Sequence, residues 1–280
     1  MNSFKPGLYI VATPIGNLND ITLRALDILK KSDIILCEDT RRSLKLLNHF
    51  DIKKKLVPYH KFNEKKELTS IIKYLNEGKI LSLVSDAGTP TLSDPGHILI
   101  KECIKKKINI YPVPGPSAIT ASVSIAGFED KFIFYGFLPK KEKELQKILS
   151  SLQDNNFAII FFIPGVKINF YLEHFKKFFT GREILIAREI TKIHETFYRD
   201  LIEKIKPFKT LLKGELTVVI SKKYNTTKIM PISDIKQQAA KYLKKYSLKD
   251  VVELIYAKEK ISKKNIYNIC LSVKKNEKNS

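Results

Sequence analysis

From Gly7 onward the chain alternates short apolar runs with stretches in which apolar residues return every three or four positions. This is the pattern of strands followed by amphipathic helices in a layered α/β protein. "GLYIVAT" (Gly7 to Thr13) predicts a first strand, "PIGNLND" a turn, and Asn19 or Asp20 the start of a helix whose apolar face is Ile21, Ala25, Ile28 and Leu29. "DIILCED" predicts a second strand, "TRRSLKLLNHF" a helix, "LVPYH" a short third strand, and Glu64 to Leu75 another helix. "KILSLVSD" (Lys79 to Asp86) is apolar without alternation, as expected of a strand in the middle of a parallel sheet. "INIYPVPGPSAITASVSIAGF" supplies a further strand, a Pro-Gly-Pro turn and a small-residue helix starting near Ser117.

Around "FEDKFIFYGFLPKKEKE" (Phe128 to Glu144) the pattern passes from strand to turn to lysine-rich helix, the expected junction to a second α/β block. That block has predicted strands at "FAIIFFI", "EILIARE" and "GELTVVIS", followed by a linker "KYNTTKIMP" and two or three short helices. The predicted organisation is an N-terminal α/β domain over residues 1–127, a second over 128–225 and a small helical segment over 232–280.

Composition adds further constraints. With 280 residues and 44% hydrophobic content, the chain can bury a substantial core. No apolar run reaches eighteen residues and "MNSFKPGLYIVATP" lacks the features of a signal peptide, so a soluble cytoplasmic protein is expected, away from membranes. Cys37, Cys103 and Cys270 are far apart and outside any CxxC pair, which supports neither structural zinc nor a disulfide framework. The net charge of +21 suits a polyanionic partner, but arginine occurs at only six positions. A lysine-rich solvated face therefore accounts for the charge equally well, and both readings stand.

Three Gly/Pro loops follow predicted strands: "TPIGN", "SDAGTP" and "VPGPSA". In open α/β sheets ligands bind beyond the carboxyl ends of strands, so these loops mark a candidate site. Neither GxxxxGK[ST] nor GxGxxG occurs, which argues against a nucleoside triphosphate or dinucleotide. A loop with Asp86 as acceptor beside Ala87 and Gly88 instead suits a polar ligand such as an amino-acid or adenosine moiety. Asp94, before Pro95, is expected to cap the next helix. The five histidines show no metal-ligand spacing, and neither a GxSxG elbow nor an HExxH helix is present, so no metal is expected.

In order along the chain, "LYIVATPIGNLNDITLRALDILKKSDIILCEDTRRS", "LVSDAGTPTLSDPG", "YPVPGPSAITASVSIAGF", "FYGFLP", "AREITKIHE" and "KGELTVVI" closely resemble the ribosomal RNA small-subunit methyltransferase I family, within the tetrapyrrole-methylase superfamily. The resemblance implies two α/β domains of the tetrapyrrole-methylase type with a cleft between them. It further implies S-adenosylmethionine in that cleft, a homodimer, and methyl transfer to a cytidine ribose 2′-oxygen in the decoding region of 16S rRNA within the 30S subunit. Carried over position by position, it places Pro14 and Gly16 at the start of the donor pocket, Asp86, Ala87, Gly88 and Thr89 on the second wall, and Ser117 with Ala118 on the third. From the second domain it brings Phe162, Ile163 and the segment Glu189 to Thr191, with Ile190 at its centre.

Asp39, Glu189 and Lys192 lie in family motifs at strand ends and are candidates for taking the hydroxyl proton, while Arg41, Arg42, Arg188 and Lys192 are candidates for rRNA phosphate contacts. Where many members carry an aromatic-acidic pair followed by His-Arg, this chain reads "FFIPGVKINF". Two alternatives stay open: a precorrin-type tetrapyrrole methyltransferase on the same fold, and an RNA-binding ribosome-assembly factor with little turnover.

Overall fold

The computed structural model describes residues 4–128, 131–223, 232–258 and 262–276. In chain order the first part is β1 (Gly7–Val11), α1 (Leu23–Lys31), β2 (Ile34–Cys37), α2 (Thr40–His49), β3 (Lys55–Pro58), α3 (Glu64–Asn76), β4 (Ile80–Val84), α4 (His97–Lys105), β5 (Ile110–Val113) and α5 (Ala118–Ala126). The five strands form one parallel sheet in the order β3-β2-β4-β1-β5. Its central strands are apolar on both faces because helices cover both. Ala25, Ile28 and Leu29 of α1 and Leu47 of α2 pack with Val11 and Ile35 on one face. Ile71 and Leu75 of α3 and Leu99 of α4 pack with Leu36, Leu81 and Leu83 on the other. Since the chain leaves β1 towards one face and β4 towards the other while these strands are neighbours, their following loops diverge and open a crevice between them.

The second part runs β6 (Phe132–Phe137), α6 (Glu142–Leu152), β7 (Ala158–Pro164), α7 (Ile168–Phe178), β8 (Glu183–Arg188), β9 (Thr196–Leu201) and β10 (Glu215–Ile220). These strands form a mixed sheet in the order β6-β7-β10-β8-β9, parallel only between β6 and β7. Alternate residues divide its two faces. Ile159, Phe161 and Ile163 of β7 and Leu216 and Val218 of β10 join α6 and α7 in one core. Ile160, Leu185, Ala187 and Val219 face the opposite way and meet Ile119 and Ala126 of α5. Helix α5 follows the first sheet in sequence yet packs on the second, so the two sheets share one compact unit, residues 1–223.

The remaining residues form a separate compact unit containing α8 (Ile232–Leu243), α9 (Leu248–Lys258) and α10 (Lys263–Asn276). Ile235, Ala239, Val251, Ile255, Ile266 and Cys270 make its core. The linker "KYNTTKIMP" falls, from Tyr224 onward, outside the described residues, as do residues 129 and 130 of the expected junction. Two elements went unnamed in the sequence pattern, β9 and α7. The helix begins after three intervening residues, Gly165–Lys167, beyond the end of β7, inside the stretch "FFIPGVKINF".

Candidate functional site

A cavity of about 550 Å³ opens beyond the carboxyl ends of β2 and β4 and runs to the β7 and β10 face of the second sheet. Three sets of hydrogen bonds hold its walls together. Thr13 and Gly88 exchange N–H to carbonyl bonds of 2.9 Å in both directions, joining the loops after β1 and β4. Gly88 does so at φ +79°, where a side chain would be strained. The Thr89 hydroxyl donates to the Pro116 carbonyl at 3.3 Å, tying in the loop after β5. The Asn17 amide donates to Thr191 Oγ1 at 3.0 Å, joining the first loop to the turn after β8. That turn holds Glu189 and Thr191 at φ +50° and +66°, unusual for residues with side chains.

The loop after β4 supplies Asp86, Ala87, Gly88 and Thr89, α5 and its cap supply Ala118 and Ser117, the second sheet supplies Phe162 and the turn after β8 supplies Ile190. Glu189, Lys192 and Arg42 also reach the cavity. Other expected residues lie elsewhere. Pro14 is buried and Gly16 exposed, and it is Ile15 between them that faces inward. Gly16 instead lies against the turn after β8, where an added Cβ would come within 2.8 Å of Thr191 Oγ1 and 3.0 Å of the Ile190 carbonyl. Ile163 packs in the core behind the sheet, because successive strand residues point to opposite faces and Phe162 takes the cavity side. The same alternation places Arg188 with Ile184 and Ile186, away from the cavity, with its Nε buried and lacking a hydrogen-bond partner among the described residues.

Asp39 is the N-cap of α2 and does not line the cavity. Its carboxylate accepts from the Arg41 amide at 2.9 Å and from the Arg41 guanidinium at 3.1 and 2.7 Å. These bonds hold its carboxyl well below the usual carboxylate range and fold an otherwise exposed Arg41 back onto its own helix. Asp86 Oδ1 accepts from the Asp39 amide at 3.1 Å, and its Oδ2 pairs with Arg42 at 3.1 Å. Lys192 Nζ pairs with Glu189 Oε1 at 3.0 Å.

Several lining residues were not expected at the site from the sequence. Glu38 precedes Asp39, and burial followed by the charge of Asp86 raises its carboxyl pKa. Asp94 lines the cavity and does not cap α4; the cap is Gly96, whose amide donates to the buried Glu64 carboxylate at 2.7 Å. Burial, then the charge of Glu38, pushes the Asp94 carboxyl up to about 6, against an opposing contribution from the Ser85 hydroxyl. Thr217 lies opposite Phe162 in the register of β10 and β7, and Phe137 packs on Phe162 with ring centroids 5.4 Å apart. Alternation along β10 was the available signal for Thr217 and Glu215. The chamber therefore combines apolar surface from Ile15, Ile119, Phe162 and Ile190 with a set of carboxylates, a lining suited to a ligand with a flat apolar part and positive charge.

The profile of the tetrapyrrole (corrin/porphyrin) methylases matches residues 7–206. Solved structures with the same fold include the methyltransferase CobJ, with TM-score 0.60 and 18% identity over 78% of this chain and 94% of that one. Diphthine synthase has TM-score 0.59 and 15% identity over 76% and 89%. Curated relatives are nearer in sequence. Ribosomal RNA small subunit methyltransferase I of Thermotoga maritima is 46% identical over 77% of this chain and 98% of its own length. The protein of that name from Rickettsia prowazekii is 41% identical over 95% and 96%. With the family profile matched over residues 7–206 and relatives of 41–46% identity over most of the chain, the chain belongs to the tetrapyrrole methylases and, among them, to the ribosomal RNA small subunit methyltransferase I family.

Proposed function

We propose that this protein transfers a methyl group from S-adenosylmethionine to the ribose 2′-oxygen of a cytidine in the decoding region of 16S rRNA, with the 30S subunit as substrate, acting as a cytoplasmic homodimer. The observation that carries the reading is the carboxylate-lined, partly apolar cavity at the switch point of the first sheet, in a chain of this family. Among the described residues no helix is long and apolar enough to cross a membrane.

The cavity lining fits the donor. Ile15, Ile119, Phe162 and Ile190 offer apolar surface for its base, and the carboxylates complement its positive charge. Bound there, S-adenosylmethionine supplies a methyl group activated by a positively charged sulfur. The protein's own contribution is largely positional. The hydrogen-bonded loops fix the walls, and the Arg42–Asp86 pair holds one carboxylate of the lining in place. A site fixed in this way converts an encounter between two reactants into an oriented approach.

The test is incubation of purified protein and labelled donor with 30S particles from cells lacking the modification, followed by mapping of the label. Label on a cytidine 2′-oxygen supports the reading. Donor binding without transfer would replace it with an assembly factor, and transfer to a precorrin-type acceptor would replace it with a tetrapyrrole methyltransferase.

A further inference from the structure

We propose that Asp94 is the proton acceptor of the reaction, its carboxylate lining the chamber where the acceptor hydroxyl meets the methyl donor. The assignment rests on the reading of the cavity as a methyl-transfer site.

The segment carrying Asp94 is clamped on both sides. Thr91 and Ser93 have φ of +72° and +71°, a conformation that costs energy for residues with side chains and persists where the surroundings impose it. Ser93 lies against Gly136 of β6, where an added Cβ would stand 2.8 Å from the Ser93 hydroxyl oxygen. On the other side, Gly96 at φ +132° fits between Leu83 and Thr91 with no room for a Cβ, and the buried Glu64 carboxylate accepts a hydrogen bond from its amide. Gly136 of β6, Leu83 of β4 and the Glu64 carboxylate of α3 thus hold a strained loop that delivers one acidic side chain to the cavity.

Of the four other acidic groups there, two are already paired. Asp86 receives Arg42 and the Asp39 amide, and Glu189 holds Lys192. Both cations of the lining are therefore paired, and Glu38 faces Arg42 and His60. Asp94 has no ion-pair partner among the described residues; it faces Glu38 from the end of β2, Ser85 and Asp86 from the end of β4, and Glu215 from β10. Its carboxyl, pushed up to about 6, is ionised at neutral pH yet basic enough to accept a proton. In the balanced step the ribose oxygen bonds the methyl carbon as the carbon–sulfur bond breaks, its electron pair staying on sulfur. The hydroxyl proton passes to Asp94 and from there to solvent.

The experiment compares wild type, Asp94→Asn and Asp94→Glu for methyl transfer to unmodified 30S particles between pH 5 and 8, with S-adenosylhomocysteine affinity measured by calorimetry. The wild-type rate is expected to rise with pH through about 6 and then level. Asp94→Asn should lose roughly 10²- to 10⁴-fold in kcat together with that pH limb, while binding S-adenosylhomocysteine within about threefold of wild type. Asp94→Glu should recover part of the rate. A kcat for Asp94→Asn within tenfold of an active wild type, a retained pH limb, or an affinity loss in step with the rate would each overturn this assignment alone. A wild type that labels no rRNA would overturn the functional reading with it.

Discussion

At neutral pH the Asp94 carboxylate is ionised against its own burial and against Glu38 beside it, and this has a consequence for stability separate from catalysis. A carboxyl whose pKa is raised by folding binds more protons in the native than in the unfolded state between about pH 4 and 6, so stability falls as pH rises through that window. The cost is absent below it and complete above it. Asp94→Asn is therefore expected to stabilise the fold at pH 8 by about 1–2 kcal/mol after allowing for solvent screening, seen as a higher melting temperature, and to make little difference near pH 4. Melting curves of both proteins at the two pH values check this. Neighbours on one strand separate site from scaffold in the same manner. Phe162→Ala removes an aromatic wall of the cavity and should weaken donor binding about tenfold. Ile163→Ala opens the core behind the sheet and should cost about 2–5 kcal/mol in denaturant unfolding while leaving donor affinity unchanged.

At the scale of elements, the loops act as a set because they are bonded to one another. Gly16→Ala would force a Cβ onto Thr191 and the Ile190 carbonyl, pressing the first loop away from the turn after β8. A destabilisation of about 1–3 kcal/mol is expected, with faster hydrogen exchange at the Asn17 amide that now donates to Thr191. The central strands of the first sheet and the three Gly/Pro loops were legible in the sequence because fully buried parallel strands are uniformly apolar and strand-end turns need glycine and proline. The partners of those loops were not legible. Glu64 lies 32 positions from the Gly96 amide that it receives, so a local reading assigned the capping role to Asp94. Ile163 was misplaced because in an all-apolar run such as "AIIFFI" nothing local says which residue of each pair faces the cavity. Strand β9 escaped notice because it is half polar, with Arg199 and Asp200 exposed. It is an edge strand, and edges carry charge.

At the scale of the whole molecule, the positive charge is spread over the lysines, and the helical unit alone, from Tyr224 onward, has thirteen against five carboxylates. For phosphate anchoring through about four contacts, the logarithm of RNA affinity should fall with the logarithm of salt at a slope near −3. Replacing the exposed Lys244, Lys245 and Lys249 by glutamine should flatten that slope by up to about 2 if those lysines engage the backbone. Titrations of 30S or rRNA binding at several salt concentrations give both numbers, and an unchanged slope would remove the helical unit from the anchoring surface. The reaction chamber has the opposite character, since Glu38, Asp86, Asp94, Glu189 and Glu215 all open into it. For the proposed rRNA substrate, a polyanion drawn in by the surface as a whole would meet a local field of its own sign there, the carboxylates unpaired among the described residues, Glu38, Asp94 and Glu215, outnumbering the cations. Phosphates are then expected to be turned outward and an uncharged part of the nucleotide, such as its ribose edge, admitted. On that expectation the interior acidity would act as an orientation filter before any base is read.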